Sequence, residues 1–183
     1  MSFFLLAIAI AIGVTWWWIS RVPVTPPQVA MMAMRIAFPG GIRLNDPDAA
    51  LAKLEKRDEI VIPFAHATLV IDFPLSVPAS VRITSSIPYG FTRAELVKSI
   101  CEEYATIYEG EEGSAATKTI PTDERGDQRE RNRTDGAFGI WGHDLQDLVL
   151  KAVRWSRNVD GKVTIELVVE SSPMPAPPSR TLE

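Results

Sequence analysis

One histidine and several aspartates lie close together in the segment RTDGAFGIWGHDLQDLVL, residues 133–150. Imidazole and carboxylate groups hold transition metals and exchange protons at neutral pH. A short helix that contains Leu145 and Leu148 would place His143 and Asp147 four residues apart on one face. Together with Asp144, they predict one possible chemistry, a metal-dependent hydrolase. His143 and Asp147 are its weak candidates for metal ligands.

The spacing in this segment matches none of the common catalytic motifs. The chain contains no HExxH, no GxSxG and no phosphate-binding loop. Gly136, Gly139 and Gly142 permit a tight turn, and His143 or Asp144 can cap the helix that follows. The pattern therefore favours a structural turn with Trp141 in the core. A binding site and a catalytic site remain as alternatives.

A long polar segment, residues 110–137, precedes these residues and predicts a mobile charged loop, because it has no apolar period. Its arginines alternate with acids. This pattern is typical of a solvated loop, and the alternative is a docking segment for an anionic partner. The candidate binding residues are Asp135, Trp141, His143, Asp144, Asp147, Arg129, Arg131 and Arg133.

The elements around this region predict an α+β fold. Thr92 and Glu95 form a capping-box pattern at the start of an amphipathic helix that includes Cys101, for which we expect a buried, inert thiol. Short alternating runs predict strands, and residues 153–170 predict a hairpin with its turn at 158–161. We expect a small, mostly antiparallel sheet packed by this one main helix.

The N-terminal residues 3–19, FFLLAIAIAIGVTWWWI, carry no charge and predict a single transmembrane helix. Seventeen residues span about 26 Å as a helix, and Trp rings favour the membrane interface. A cleaved signal peptide and a buried core helix are the alternatives. Arg21 and Arg35 follow the run, which favours a cytoplasmic main domain.

The predicted organisation has four parts. Residues 1–21 form the transmembrane anchor and residues 22–45 a Pro/Gly-rich spacer. Within the spacer, AMMAMRIAF could be a short helix or a strand. The α+β domain covers residues 46–170 and begins with a short helix, DPDAALAKLEKRDE, that Asp46 caps. Residues 171–183 form a disordered tail.

The composition excludes several classes of function. The net charge of −4 argues against a nucleic-acid partner, which normally meets a basic surface. A single cysteine permits no intrachain disulfide and no cysteine-rich zinc site. We expect no cofactor.

Two segments, TRAELVKSICEEYATIYEGEE and RTDGAFGIWGHDLQDLVL, are similar to a protein family of large algal DNA viruses, algae and plants. The resemblance covers about 60 residues, 92–150. It implies a viral or algal membrane-associated protein. The family has no assigned activity, so the resemblance implies no catalytic residues.

These observations together predict a membrane-anchored, non-enzymatic interaction module. The bilayer would hold residues 3–19, and the α+β domain would bind a protein partner. The membrane-tethered hydrolase built on His143, Asp144 and Asp147 is the alternative.

Overall fold

The computed structural model describes residues 30–126 and 130–172 of the 183. The predicted anchor, the start of the predicted spacer, Arg129 and the predicted tail from residue 173 onward lie outside the described residues. None of the helices in the described ranges could span a lipid bilayer.

The fold is α+β, with a mostly antiparallel sheet and one main helix, as the sequence predicts. Two short 3-10 helices, Thr122–Glu124 and Leu145–Asp147, lie in the connection before the last hairpin. The other elements are β1 (Ala30–Arg43), α1 (Pro47–Ala52), β2 (Ile60–Ile62), β3 (His66–Ile71), β4 (Ala79–Thr84), β5 (Phe91–Thr92), α2 (Arg93–Ser114), β6 (Leu148–Asn158) and β7 (Val163–Ser171).

The main sheet has the order β1-β6-β7-β3-β4, and a second sheet contains only β2 and β5. The pairing of β3 with β7 is parallel, and the other pairings are antiparallel. The predicted hairpin is confirmed as β6 and β7. Asn158 closes its turn by accepting a hydrogen bond from the backbone N–H of Lys162 at 2.8 Å, and Gly161 adopts a φ of 79°.

The predicted spacer at residues 22–45 is wrong over most of its length. Residues 30–43 form strand β1 of the main sheet rather than a linker. The segment supplies Ile36 and Phe38 to the core, both buried. The Pro39-Gly40-Gly41 sequence does not end the strand. Ala37 pairs with Ala152 and Ile42 pairs with Leu150, so residues 38–41 bulge out opposite a single residue of β6.

The prediction of a helix after Asp144 is also wrong. The chain makes only the 3-10 turn Leu145–Asp147 and then enters β6 at Leu148. The run from Leu148 to Leu150 is buried, and it pairs with β1 on one side and β7 on the other. A continuous apolar run of this kind suits a central strand, and its length alone does not distinguish a strand from a helix.

Helix α2 begins where the sequence predicts. The Thr92 hydroxyl accepts the backbone N–H of Glu95 at 3.2 Å. The Glu95 carboxylate accepts from Ser85 and Ser86 at the end of β4, which joins this strand to the helix. Cys101 is buried as expected, and burial, with smaller contributions from nearby acids, raises the pKa of its thiol to about 12.

Two helix boundaries differ from the predictions. Helix α2 continues to Ser114, so the first five residues of the predicted loop at 110–137 are helical. Helix α1 has the predicted cap, in which the Asp46 carboxylate accepts from the backbone N–H of Ala49 at 3.0 Å. It ends at Ala52, so residues 53–59 of the predicted helix lie outside it.

Replacing Phe38 tests whether β1 belongs to the domain. We expect Phe38→Ala to lower the free energy of unfolding by about 3–5 kcal/mol, because this ring is 4% exposed in the core. Met34→Ala in the same strand is the control. Its side chain is 56% exposed, so we expect a change within about 0.5 kcal/mol. Urea denaturation of the full chain in neutral detergent, followed by circular dichroism, measures both. Equal effects would contradict this placement of β1.

Candidate functional site

The carboxylate of Glu111, in the last turns of α2, lies inside the loop formed by residues 134–140. The side chain is fully buried, with 0% of its surface exposed. One hydroxyl and several backbone amides converge on its two oxygens. The closest donors are Thr134 Oγ1 at 2.6 Å, Phe138 N at 2.7 Å, Gly136 N at 2.9 Å and Gly139 N at 3.0 Å.

These donors keep the buried carboxylate charged. Burial alone would raise the pKa of Glu111, but the hydrogen bonds from Thr134 and the loop amides outweigh it and hold the pKa below the ordinary value. The loop fits closely around the anion. A Cβ on Gly136 would lie 2.6 Å from the Glu111 carbonyl oxygen and 2.7 Å from its carboxylate. Glycine is therefore required at this position.

The same loop lies against the segment after β3. Ile140 pairs with Leu75 in a β-bridge, and the backbone N–H of Trp141 donates to the carbonyl of Pro74 at 3.3 Å. A second bridge joins Gly142 to Arg131. The backbone on both sides of Trp141 is therefore fixed by neighbouring chain segments.

Three rings form an aromatic cluster next to this backbone. The ring of His143 lies 5.1 Å from Phe73 and 5.8 Å from Trp141, and Trp141 meets Phe73 edge-on at 6.2 Å. Trp141 is 44% exposed, so the prediction that it fills the core is wrong. Ile140 turns inward and is buried, and the next residue along the extended chain turns outward.

Two tyrosine hydroxyls of α2 donate hydrogen bonds to the backbone of the cluster. Tyr104 donates to the carbonyl of Phe73, and Tyr108 donates to the carbonyl of His143, both at 2.9 Å. Burial raises the pKa of each phenol far above its ordinary value, so both remain neutral hydrogen-bond donors. Helix α2 thus fixes the backbone of Phe73 and His143, two of the three residues in the cluster.

The two aspartates after the cluster, Asp144 and Asp147, form hydrogen bonds with other groups of the domain. Both oxygens of Asp144 accept from the Arg125 guanidinium, at 2.6 and 2.9 Å, and this pairing raises the pKa of Arg125. Asp147 accepts the backbone N–H of Asp144 at 3.3 Å. Because only the 3-10 helix Leu145–Asp147 forms here, His143 and Asp147 do not share an α-helical face. The described residues contain no group of three or more side chains placed to hold a metal.

The other candidate binding residues have different environments. Arg131 is 6% exposed, and its guanidinium lies 5.0 Å from the ring centre of Tyr108. Arg133 is exposed and donates to the Ser76 hydroxyl at 3.1 Å. Asp135 accepts the backbone N–H of Thr117 at 2.7 Å, and this bond lowers the pKa of its carboxyl. Of these three, Arg133 and Asp135 are exposed and present their charges at the surface.

Sequence reasoning identified Trp141 and His143 but did not identify Glu111. This glutamate lies in the charged run YEGEEG, where it is not distinguished from its neighbours. Gly136 and Gly139 are the only local sign in the sequence that the loop backbone approaches Glu111 closely. Glycines at these positions are equally consistent with any tight turn.

Comparisons with protein-family models, curated proteins and solved structures find no match for this chain. The resemblance of residues 92–150 to the algal and viral family therefore stays a prediction.

Glu111→Gln tests the importance of the buried carboxylate. The amide has one acceptor oxygen where the carboxylate has two, and its NH₂ group would face N–H donors. We expect the free energy of unfolding to fall by roughly 2–3 kcal/mol. Glu109→Gln, an exposed position in the same helix, is the matched control and should have almost no effect. Urea denaturation of the full chain compares the two. A loss no larger than that of the control would contradict the proposed anchoring of the loop.

The acid dependence of stability follows from the direction of the same pKa shift. Because the native pKa of Glu111 is below its ordinary value of 4.5, its contribution is complete above that pH. The contribution is lost as the pH falls through the native pKa. Unfolding free energies measured from about pH 7 to about pH 3 should therefore fall less steeply for Glu111→Gln than for the unmodified protein. Parallel curves would mean that Glu111 titrates normally.

Proposed function

We propose that this protein is a membrane-anchored, non-enzymatic interaction module that binds a protein partner through its aromatic cluster. The surface concerned, called here the Trp141 surface, consists of Phe73, Val77, Arg133, Trp141 and His143. The observation that carries the proposal is the exposure of Trp141, 44%, on a backbone that neighbouring segments hold in place.

A fixed tryptophan at the surface is well suited to binding. A large ring contributes much of the energy of an interface when a partner covers it. The loop and the tyrosine hydroxyls already order the backbone near this ring. Binding therefore requires little further loss of conformational freedom.

The rest of the Trp141 surface is mixed in character. Val77 is 56% exposed, and its backbone N–H bonds to the carbonyl of Phe138 within the same loop. Arg133 is an exposed cation that directly precedes this loop. These features favour a partner that offers an apolar or aromatic side chain together with an acidic group.

The membrane part of the proposal is supported by the sequence of residues 3–19. Between this run and β1, residues 20–29 can extend over at most about 36 Å. The domain would therefore stay next to the bilayer, on the cytoplasmic side by the positions of Arg21 and Arg35. The resemblance described above supports an algal or viral origin.

Trp141→Ala tests the binding surface. We expect a partner captured by the full chain in neutral-lipid nanodiscs to bind about 30-fold more weakly to this variant, as for the loss of roughly 2 kcal/mol. Tyr89→Ala is the matched control, because this ring is 74% exposed in another loop. Titration of the purified partner measures both affinities. A partner that binds both variants equally well contradicts a role for Trp141, and so does the failure to find any partner that depends on it.

Deletion of residues 1–21 tests the anchor separately. We expect the full chain to stay with membranes after alkaline extraction and the shortened chain to appear in the soluble fraction. Strand β1 remains intact in the shortened chain, so circular dichroism should show the same cooperative unfolding for both. If alkaline extraction released the full chain, the result would contradict the membrane anchor. It would not bear on binding through the Trp141 surface.

A further inference from the structure

A cavity of about 510 Å³ lies between β1 and α1, away from the residues of the Trp141 surface. We call it the bulge cavity, because residues 39–43 of β1, which include part of the bulge, form one of its walls. Residues of α1, β6 and the end of β7 complete its lining. Its volume lies within the usual range for small-molecule sites.

Two glycines give this wall its shape. Gly40 and Gly41 have φ values of 81° and 77°, in the left-handed region that other residues rarely adopt. A Cβ on Gly41 would lie 2.3 Å from Cγ1 of Val149. A Cβ on Gly40 would meet no atom within 4 Å, so the backbone there borders open space. The close approach to Val149 explains glycine at position 41, and the left-handed backbone explains glycine at position 40.

Three cationic side chains from three different elements line the cavity. Arg43 comes from β1, Lys53 follows α1 and Lys151 lies in β6. Asp46 is the one acidic residue of the lining. The balance is therefore positive in a chain whose net charge is −4.

These cations are only partly neutralised. Arg43 donates to the carbonyl of Gln146 at 2.8 Å, which orients it without an opposing charge. Lys151 lies 3.7 Å from Glu170, a largely exposed carboxylate, and such pairs are weak. Lys53 forms no ion pair with any described residue.

We infer that the bulge cavity binds a small organic phosphate. Arginine and lysine together suit a phosphate group, which accepts several charge-assisted hydrogen bonds. Ala49, Ala50 and Val149 supply an apolar part of the lining for the organic portion of the ligand. The inference does not depend on the Trp141 surface or on the membrane anchor.

Glycerol phosphate and inorganic phosphate are the probes for the test. In the full chain, held in neutral-lipid nanodiscs, we expect glycerol phosphate to raise the unfolding temperature in a saturable manner and inorganic phosphate to do so more weakly. Potassium chloride at the same ionic strength corrects for screening. The double variant Lys53→Met/Lys151→Met should bind glycerol phosphate roughly tenfold more weakly.

The double variant Lys98→Met/Lys162→Met is the matched control, because it removes the same charge from positions outside the cavity. Each variant is compared with its own unfolding temperature without ligand. This comparison separates any loss of stability from the loss of binding. A saturable effect that only the cavity variant loses supports the site. An equal loss in both variants overturns the inference.

A second arm distinguishes a free phosphate from a lipid headgroup. Nanodiscs that contain phosphatidic acid replace the soluble probe. If the cavity binds a headgroup, these discs stabilise the unmodified protein more than the cavity variant and compete with glycerol phosphate. If the ligand is soluble, the discs have no such effect and glycerol phosphate does. Either result supports a phosphate site, and failure of both probes overturns it.

Discussion

The structure around the candidate site depends on one buried charge. A carboxylate without water requires hydrogen-bond donors, and leaving it unpaired would cost several kcal/mol. The donors to Glu111 come from residues 134–140, so the end of α2 and this loop cannot be placed independently. The loop in turn pairs with residues 74–77 and sets the direction of Trp141. An interior electrostatic requirement thus decides which ring reaches the surface.

The charged residues of this region mostly hold the chain together. Asp144 pairs with Arg125, Arg131 packs on Tyr108, and the His143 ring packs against its aromatic neighbours. Groups that suggest metal chemistry in the sequence therefore have structural partners in the fold. The exposed aromatic group of this region is Trp141, which has no such partner in its exposed part among the described residues. In the bulge cavity, too, cations remain only partly paired.

Local signals in the sequence were reliable, and distant ones were not. The Thr92 cap and the hairpin turn at Asn158 depend on neighbouring residues, so their patterns predicted both correctly. The binding of Glu111 to its loop joins residues more than twenty positions apart, and no local pattern encodes it. Strand β1 was misassigned because Pro39 and its glycines resemble a linker, whereas pairing with β6 accommodates them as a bulge. Tertiary pairing also turned the apolar run at Leu148 into a strand.

The position of β1 has a consequence for how the chain folds. Its hydrogen-bonded neighbour in the sheet is β6, so Ala37 must find Ala152 near the other end of the chain. Contacts between such distant residues slow folding. During synthesis, β1 emerges from the ribosome early and has no strand to pair with until β6 follows. Its open edge and its exposed Met32 and Met34 are then available to other chains. Aggregation in this interval, rather than low stability of the finished fold, is the hazard that this topology creates.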